Sequence, residues 1–445
     1  MKKNLVKDVV NTPDDFFGKE VFFCGWIRNI HSLKNVIFFE LFDGSMLNGI
    51  QVVCEEESCF SIAKKLKRGM SIKVKGIFMP SKGGKEEWEL KATDILVEGN
   101  IRNINSENKK GINLDTLRKQ PHLRVRTKLF YSVFKIRSLL TMATHQFFQE
   151  RDFINVVTPT ITSSSFEGAG DIFSVNKSES KDLYFGKPAY LAVSGQLYDE
   201  ALMYGFGKVY SFGPTYRAND SNTIRHLSEF WMIEPEMAFS DLEDGIELAE
   251  EYIVYTAKFI LENAKDELAF LSKKNNMDLF SEINKCKDAA FVCITYSEAI
   301  NLLGHKYYDV IFGSEINREH INYLIDEVFQ APIIIKDFPK EGTPFYMTQN
   351  EDLNTVRNFY LYLPRIGETI GGCEQLSDYD QIKKIIDERK MKIEEYEFYL
   401  DICKNGSVTH TGLGLGFDRF VMFYTGMSNI RDVVPFPRSV SNCQF

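Results

Sequence analysis

The sequence predicts an α+β protein in two parts: a small five-stranded β-barrel, then an antiparallel sheet with flanking helices. Three observations carry that expectation. Residues 20–98 hold five short β-rich runs divided by turn signals, and residues 241–338 keep mostly helical spacing. Residues 212–236 and 410–420 alternate residue types with the period of two that strands require.

The five N-terminal runs are EVFFCGWIRNI, NVIFFELFDGS, NGIQVVCEE, MSIKVKGIFMP and EEWELKATDILVEG. A helix-like SCFSIAKKLKRG separates the third from the fourth. Five strands and one helix in this order suit a barrel of the OB type. Such barrels commonly present aromatics to single-stranded nucleic acid. Residues 99–127 are polar and turn-rich and read as a linker. A long helix is expected at about 128–151, with Leu129, Val133, Ile136, Leu140, Ala143 and Phe147 on one apolar stripe. Ile246, Ala249, Ile253 and Ile260 keep helical spacing in the 241–338 segment. The expected layout is therefore a barrel over 1–100, a linker over 101–127 and the larger domain over 128–445.

Bulk properties exclude several classes. A chain of 445 residues with 44% apolar and 26% charged residues is an ordinary globular composition. No apolar run is long enough to span a bilayer, and the start MKKNLVKDVVNTPDD has no signal-peptide core, so a cytoplasmic protein is expected. The eight cysteines form no CxxC pair and read as buried free thiols. A net charge of −9 argues against unspecific nucleic-acid binding, while local basic patches can still carry phosphate contacts.

The stretch FGPTYRANDSNTIRHLSEFWMIEPE, residues 212–236, is the most informative. It reads as a hairpin with Arg217 and Arg225 projecting from neighbouring strands onto one surface. Two guanidiniums and His226 suit a polyphosphate, and Phe230 suits an adenine ring. Downstream, HTGLGLGFDRF (410–420) alternates glycines and then places Asp418 and Arg419 at a helix start.

These segments resemble motifs 2 and 3 of the class II aminoacyl-tRNA synthetases, and SNT-RHL-EFWM-EPE resembles the asparaginyl branch. Gly367-Glu368-Thr-Ile-Gly-Gly372 resembles the segment that carries the metal-binding glutamate, and Val157-Thr158-Pro159-Thr160 resembles motif 1 at the dimer interface. The resemblance implies a class II fold, a homodimer, and formation of an aminoacyl-adenylate from ATP with Mg2+. Asparagine and its tRNA are the implied pair. The alternatives are a diverged paralogue that activates another amino acid or uses a non-standard acceptor, and a non-catalytic tRNA-binding regulator. Intact Arg217, Glu368 and Arg419 speak against the last.

By this resemblance Arg217 serves the α-phosphate and the carboxylate, Arg225 and His226 the distal phosphates, and Arg419 the adenine face opposite Phe230. Glu368 holds magnesium. Ser165-Phe-Glu167-Gly168-Ala-Gly170 resembles a mobile loop in which Glu167 meets the substrate ammonium, and Gln196 of the Ser194-Gly-Gln196-Leu197 run touches it too. Glu200 accepts from a side-chain amide. In the barrel, Phe38, Gln51 and Glu89 fall on positions that hold the central anticodon base, with Arg28 nearby.

Departures from the family gather at the site. Asn219 stands where a glutamate contacts the tRNA acceptor end, and Tyr360 where a second metal-binding acid is expected. Cys373-Glu374-Gln375 replaces a Ser-Gln-Arg, so Gln375 stands where an arginine grips the substrate side chain. Asp199 adds an acid. The family's basic loop between the first two strands shrinks to Asn29-Ile-His-Ser-Leu-Lys34. The pocket is thus expected to reject aspartate and to favour a neutral or cationic side chain.

Overall fold

In the computed structural model, the alternating apolar residues of the N-terminal runs close into one barrel. The structure describes residues 2–81, 87–101, 113–163, 171–177, 183–288, 291–391 and 393–445, in two compact units, Met1–Tyr131 and Ser132–Phe445. Strands β1 (Glu20–Ser32), β2 (Ile37–Phe42), β3 (Ile50–Cys54), β4 (Ser71–Pro80) and β5 (Trp88–Gly99) pair in the order β1-β2-β3-β5-β4. Val21, Phe23, Phe39, Leu41, Val52, Val74 and Leu90 are buried inside it. The helix Glu57–Ala63 adds Cys59 and Ala63 to the same core. All five expected strands and the intervening helix form.

Two expectations need correction here. Residues 31–32, expected in the loop after the first run, continue β1: His31 pairs with Phe38 and Ser32 with Ile37. Alternation simply continues, with Ile30 packed on the barrel core, and the turn shrinks to four residues. The linker is also more ordered than its polarity suggests. Leu114–Arg118 and Pro121–Arg124 are short helices, and Arg124 is fully buried with its guanidinium 4.4 Å from the Phe130 ring.

The second unit is built on an eight-stranded sheet. Its strands are β6 (Ile154–Val156), β9 (Lys208–Tyr216), β10 (Glu229–Ala238), β11 (Val292–Thr295), β12 (Ile333–Lys336), β13 (Asn358–Leu363), β14 (Gly367–Gln375) and β15 (His410–Gly416). A separate two-stranded piece pairs β7 (Ile161–Thr162) with β8 (Tyr190–Leu191). The large sheet runs β11-β12-β13-β14-β15-β10-β9-β6. Among the described residues only its two edge pairs, β11–β12 and β6–β9, are parallel. The helix Lys128–Gln149 buries its predicted stripe. The 241–338 segment is mostly helical as expected, yet it also donates β11 and β12. Ile333, Ile334 and Ile335 are fully buried, and a short run apolar on both faces has no period to betray it.

The cysteines are free, as expected, but not all are buried: Cys293 and Cys443 are exposed. Among the described residues no helix is long and apolar enough to cross a membrane.

Candidate active site

Alternation along β10 puts Phe230, Met232, Glu234 and Glu236 on one face of the sheet. Ile233 and Pro235 turn to the other, towards Leu248 and Ala249 of the helix Leu242–Asn263. On β15 the same alternation leaves the first face nearly bare, because Gly412, Gly414 and Gly416 carry no side chains there. At Gly412 the bareness is obligatory: a Cβ would lie 2.0 Å from Glu236 Oε1 and 2.5 Å from Gln375 Nε2.

The space above these glycines is a cleft of about 350 Å3, lined by Arg217, Asn219, Arg225, His226, Phe230, Glu368 and Arg419 among others. All six residues expected at a nucleotide site therefore meet in one cavity, together with Asn219, expected at the tRNA acceptor end. The route differs from expectation in one respect. Arg217 follows the end of β9, but Arg225 lies in the connecting loop and not on a strand. The carbonyl of Arg365 accepts from Arg225 Nη2 at 3.0 Å and fixes it there.

Electrostatics in the cleft are strongly cationic. Burial, aided by Arg318 and Arg419, lowers Arg225 to about 10. Burial and then Arg419, Arg225 and Arg217 lower His226, which leaves it neutral near pH 7. Its Nδ1 meets the Thr223 hydroxyl at 2.6 Å. The Arg217 guanidinium lies 5.4 Å from the Phe230 ring centre. Asp418 is committed to structure, accepting from Trp231 N at 2.9 Å and from Arg137 Nη1 at 2.5 Å. Arg419, in the first turn of the helix Phe417–Thr425, has no hydrogen bond or ion pair among the described residues. Burial raises the Glu368 carboxyl against the opposing pull of Arg419 and Arg217. Water reaches that side chain in the cleft, so screening keeps the effect modest.

Beside the cleft lies a buried polar cluster. The helix Gln196–Phe206 carries Asp199 and Glu200, both fully buried, on diverging directions. Glu200 stands 3.0 Å from His410 Nε2 on β15. Asp199 accepts from Ser211 Oγ at 2.6 Å on β9 and is pushed up to about 9 by burial and Glu234. Glu234 accepts from Gly195 N at 3.0 Å and from Ser194 Oγ. Gln375 Nε2 donates to both oxygens of Glu236, at 3.0 and 3.1 Å. Gln196 also bonds Glu236, whose carboxyl burial raises to about 8. Thus Gln196, Glu200 and Gln375 gather around Glu236 and His410, whereas Asp199 sits on the Glu234 side. Glu374 points away, to Arg357 at 2.6 Å and the Leu242 amide. Glu167 lies outside the described residues. Sequence reasoning assigned nothing to Glu234, Glu236 or His410. The only available signal was that they flank the quoted arginine and glycine runs.

The pKa directions give a stability prediction. His410 is raised from 6.5 to about 9 by Glu200 against burial, so its contribution is complete below pH 6.5 and lost as pH rises through 9. Glu236 and Asp199 also hold protons that the unfolded chain releases, which favours the folded state at low pH. The Tm of the ligand-free protein is expected to fall between pH 6.5 and 9. Calorimetry at the two pH values checks this, and a Tm that rises contradicts it.

In the N-terminal unit, Phe38, Gln51 and Glu89 line one cavity of about 730 Å3. Glu89 accepts from Gln51 Nε2 at 3.1 Å and from Ser81 Oγ at 3.0 Å. Arg28 does not line that surface.

Both units match known families. Residues 113–440 match the family described as tRNA synthetases class II (D, K and N), and residues 21–98 match the OB-fold nucleic acid binding domain. The chain belongs to the class II tRNA synthetases of this D, K and N group. Within it, the chain is 42% identical over 465 residues to the asparagine–tRNA ligase of Acetivibrio thermocellus, and 42% identical over 464 residues to that of Clostridium kluyveri, covering 100% of each chain. The asparaginyl-tRNA synthetase of Pyrococcus horikoshii complexed with asparaginyl-adenylate superposes with a TM-score of 0.90 at 30% identity, covering 100% of this chain and 99% of that one.

Proposed function

We propose that this chain activates asparagine with ATP and transfers it to the matching tRNA in the cytoplasm. The observation that carries the reading is the convergence of Arg217, Arg225, His226, Glu368 and Arg419 on one cleft. An asparagine carboxylate oxygen attacks the α-phosphorus of ATP, the bond to the bridging oxygen breaks, and pyrophosphate leaves. Arg217 neutralises charge that grows in the pentavalent transition state, and Arg419 clamps the adenine against Phe230. A ribose hydroxyl of the tRNA's terminal adenosine then attacks the acyl carbon and AMP departs.

Glu368 is the residue that would hold Mg2+ against the phosphates. Tyr360 supplies no second acid, packing against Phe338 at 5.0 Å between ring centres. Among the described residues no group of three or more His, Cys, Asp or Glu is placed to hold a metal. One carboxylate with substrate phosphates completing the shell is an ordinary Mg2+ arrangement.

The division into a barrel over 1–100, a linker over 101–127 and a catalytic domain over 128–445 belongs to this reading, as does a homodimer. Val157, 90% exposed, with Ile154 and Ile161 exposed beside it, offers an apolar row for a second copy. The Phe38 surface reads the anticodon. Phe38→Ala is expected to lower tRNA charging roughly tenfold, since stacking one base is worth about 1–3 kcal/mol, while exchange of pyrophosphate without tRNA stays unchanged. Equal loss in both assays would contradict this.

A second reading, activation of a small diamino acid such as 2,3-diaminopropionate, is favoured by Glu236. Burial keeps this carboxyl protonated at neutral pH while Gln375 and Gln196 bond it, and a substrate ammonium beside it would favour its charged form. Pyrophosphate exchange with the two amino acids side by side, followed by charging of a tRNA transcript, tests both.

A further inference from the structure

The turn between β13 and β14 offers one acceptor that two arginines share. Arg365 sits in this turn at φ 68°, a left-handed position that a residue other than glycine seldom holds. Its own side chain is committed elsewhere: Nε donates to Glu282 at 2.5 Å and Nη2 to Phe423 O at 2.8 Å. The turn is thereby pinned, and its carbonyl with it. That one oxygen accepts from Arg225 Nη2 at 3.0 Å and from Arg318 Nη2 at 3.1 Å.

Two like charges meeting at one neutral atom repel each other. Arg318 and Arg419 both act against the charge on Arg225, while the charges that act on Glu368 are those of Arg419 and Arg217. Arg225 lines the cleft, and its Nη1 lies 3.5 Å from where a Cβ on Gly367 would stand, next to Glu368. Arg318 opens the helix Arg318–Asn322 and is exposed beside the cleft without lining it. An exposed side chain changes rotamer freely, so the donors of Arg318 that Arg365 O does not take can be re-aimed.

We propose, on the reading that this cleft forms an adenylate, that Arg318 is a further phosphate-binding residue. With Arg225 it closes on the terminal phosphate of ATP and on the pyrophosphate that leaves. A phosphate presents several oxygens, so one group accepts from both guanidiniums and replaces their repulsion with charge-assisted bonds. Tyr360 packs on Phe338 and supplies no second acid for a metal, which leaves more of the triphosphate charge to side chains.

Calorimetric titration of the full-length protein with ATP, pyrophosphate and AMP, without amino acid, tests this. Arg318→Gln is expected to weaken ATP and pyrophosphate about tenfold, the loss of one charged hydrogen bond, and to leave AMP unchanged. Arg318→Lys keeps the charge without the fork and should recover part of that loss. An arginine that only braced the turn would weaken AMP as much as ATP, and equal weakening overturns the proposal. ATP binding in Arg318→Gln that matches the wild type overturns it too, and leaves adenylate formation in the cleft untouched. A wild-type protein that binds neither ATP nor AMP overturns both.

Discussion

Aspartate is expected to be activated about a thousandfold more slowly than asparagine. The buried cluster around Gln375 holds two carboxyl groups, Glu200 and Glu236, and among the described residues its only cation, His410, stands 3.0 Å from Glu200. A substrate carboxylate entering there would lose its water and gain no counter-charge. An unpaired buried carboxylate facing acids costs several kcal/mol, which corresponds to a thousandfold or more in discrimination. Glu236 stays protonated up to about pH 8, so it adds direct repulsion above that pH and the ratio should widen. Asparagine, by contrast, can donate amide hydrogens to Glu200. Relative kcat/KM values in pyrophosphate exchange at pH 7 and 8.5 measure this. A ratio near one, or one that narrows with pH, would contradict the pocket described above.

Replacing Arg217 with alanine should slow adenylation by about a hundredfold or more, comparable to removing one oxyanion-hole donor. Its guanidinium lies in an open cleft beside Phe230, so the fold should survive, as an unchanged circular dichroism spectrum would confirm. The loss should appear in kcat more than in the KM for ATP, because the charge it meets peaks in the transition state. Near-normal exchange by a folded Arg217→Ala protein would remove Arg217 from the chemistry.

Much of the cleft was legible because each piece is a short string with its own local signature. Arg217 to Phe230 read as two strands joined by a short polar loop, and Gly412 to Arg419 as a strand running into a helix. The misplacement of Arg225 has a local cause: the 217–228 connection is long enough to hold the arginine off the strand, where Arg365 O fixes it. The buried cluster was far less legible. Glu236 opposes Gly412, and Gln375 opposes His410, only through pairing of β10 with β15 and of β14 with β15. Such register is a property of the assembled sheet, and no local period announces it. The same holds for Asp199 and Glu200. Adjacent in sequence, they are sent by the helix to Ser211 and His410 on different strands. β11 escaped notice in a mostly helical segment, and β12 because its buried isoleucines look alike on both faces.

The central claim is that this cleft makes an asparaginyl-adenylate and passes it to tRNA. Asparagine-dependent exchange of labelled pyrophosphate into ATP, followed in the same sample by acylation of an asparagine tRNA transcript, tests it most directly. Asparagine is predicted to drive exchange that Arg217→Ala lowers about a hundredfold, and the transcript is predicted to become charged. A folded protein that shows no asparagine-dependent exchange, or that exchanges best with aspartate, would contradict the account.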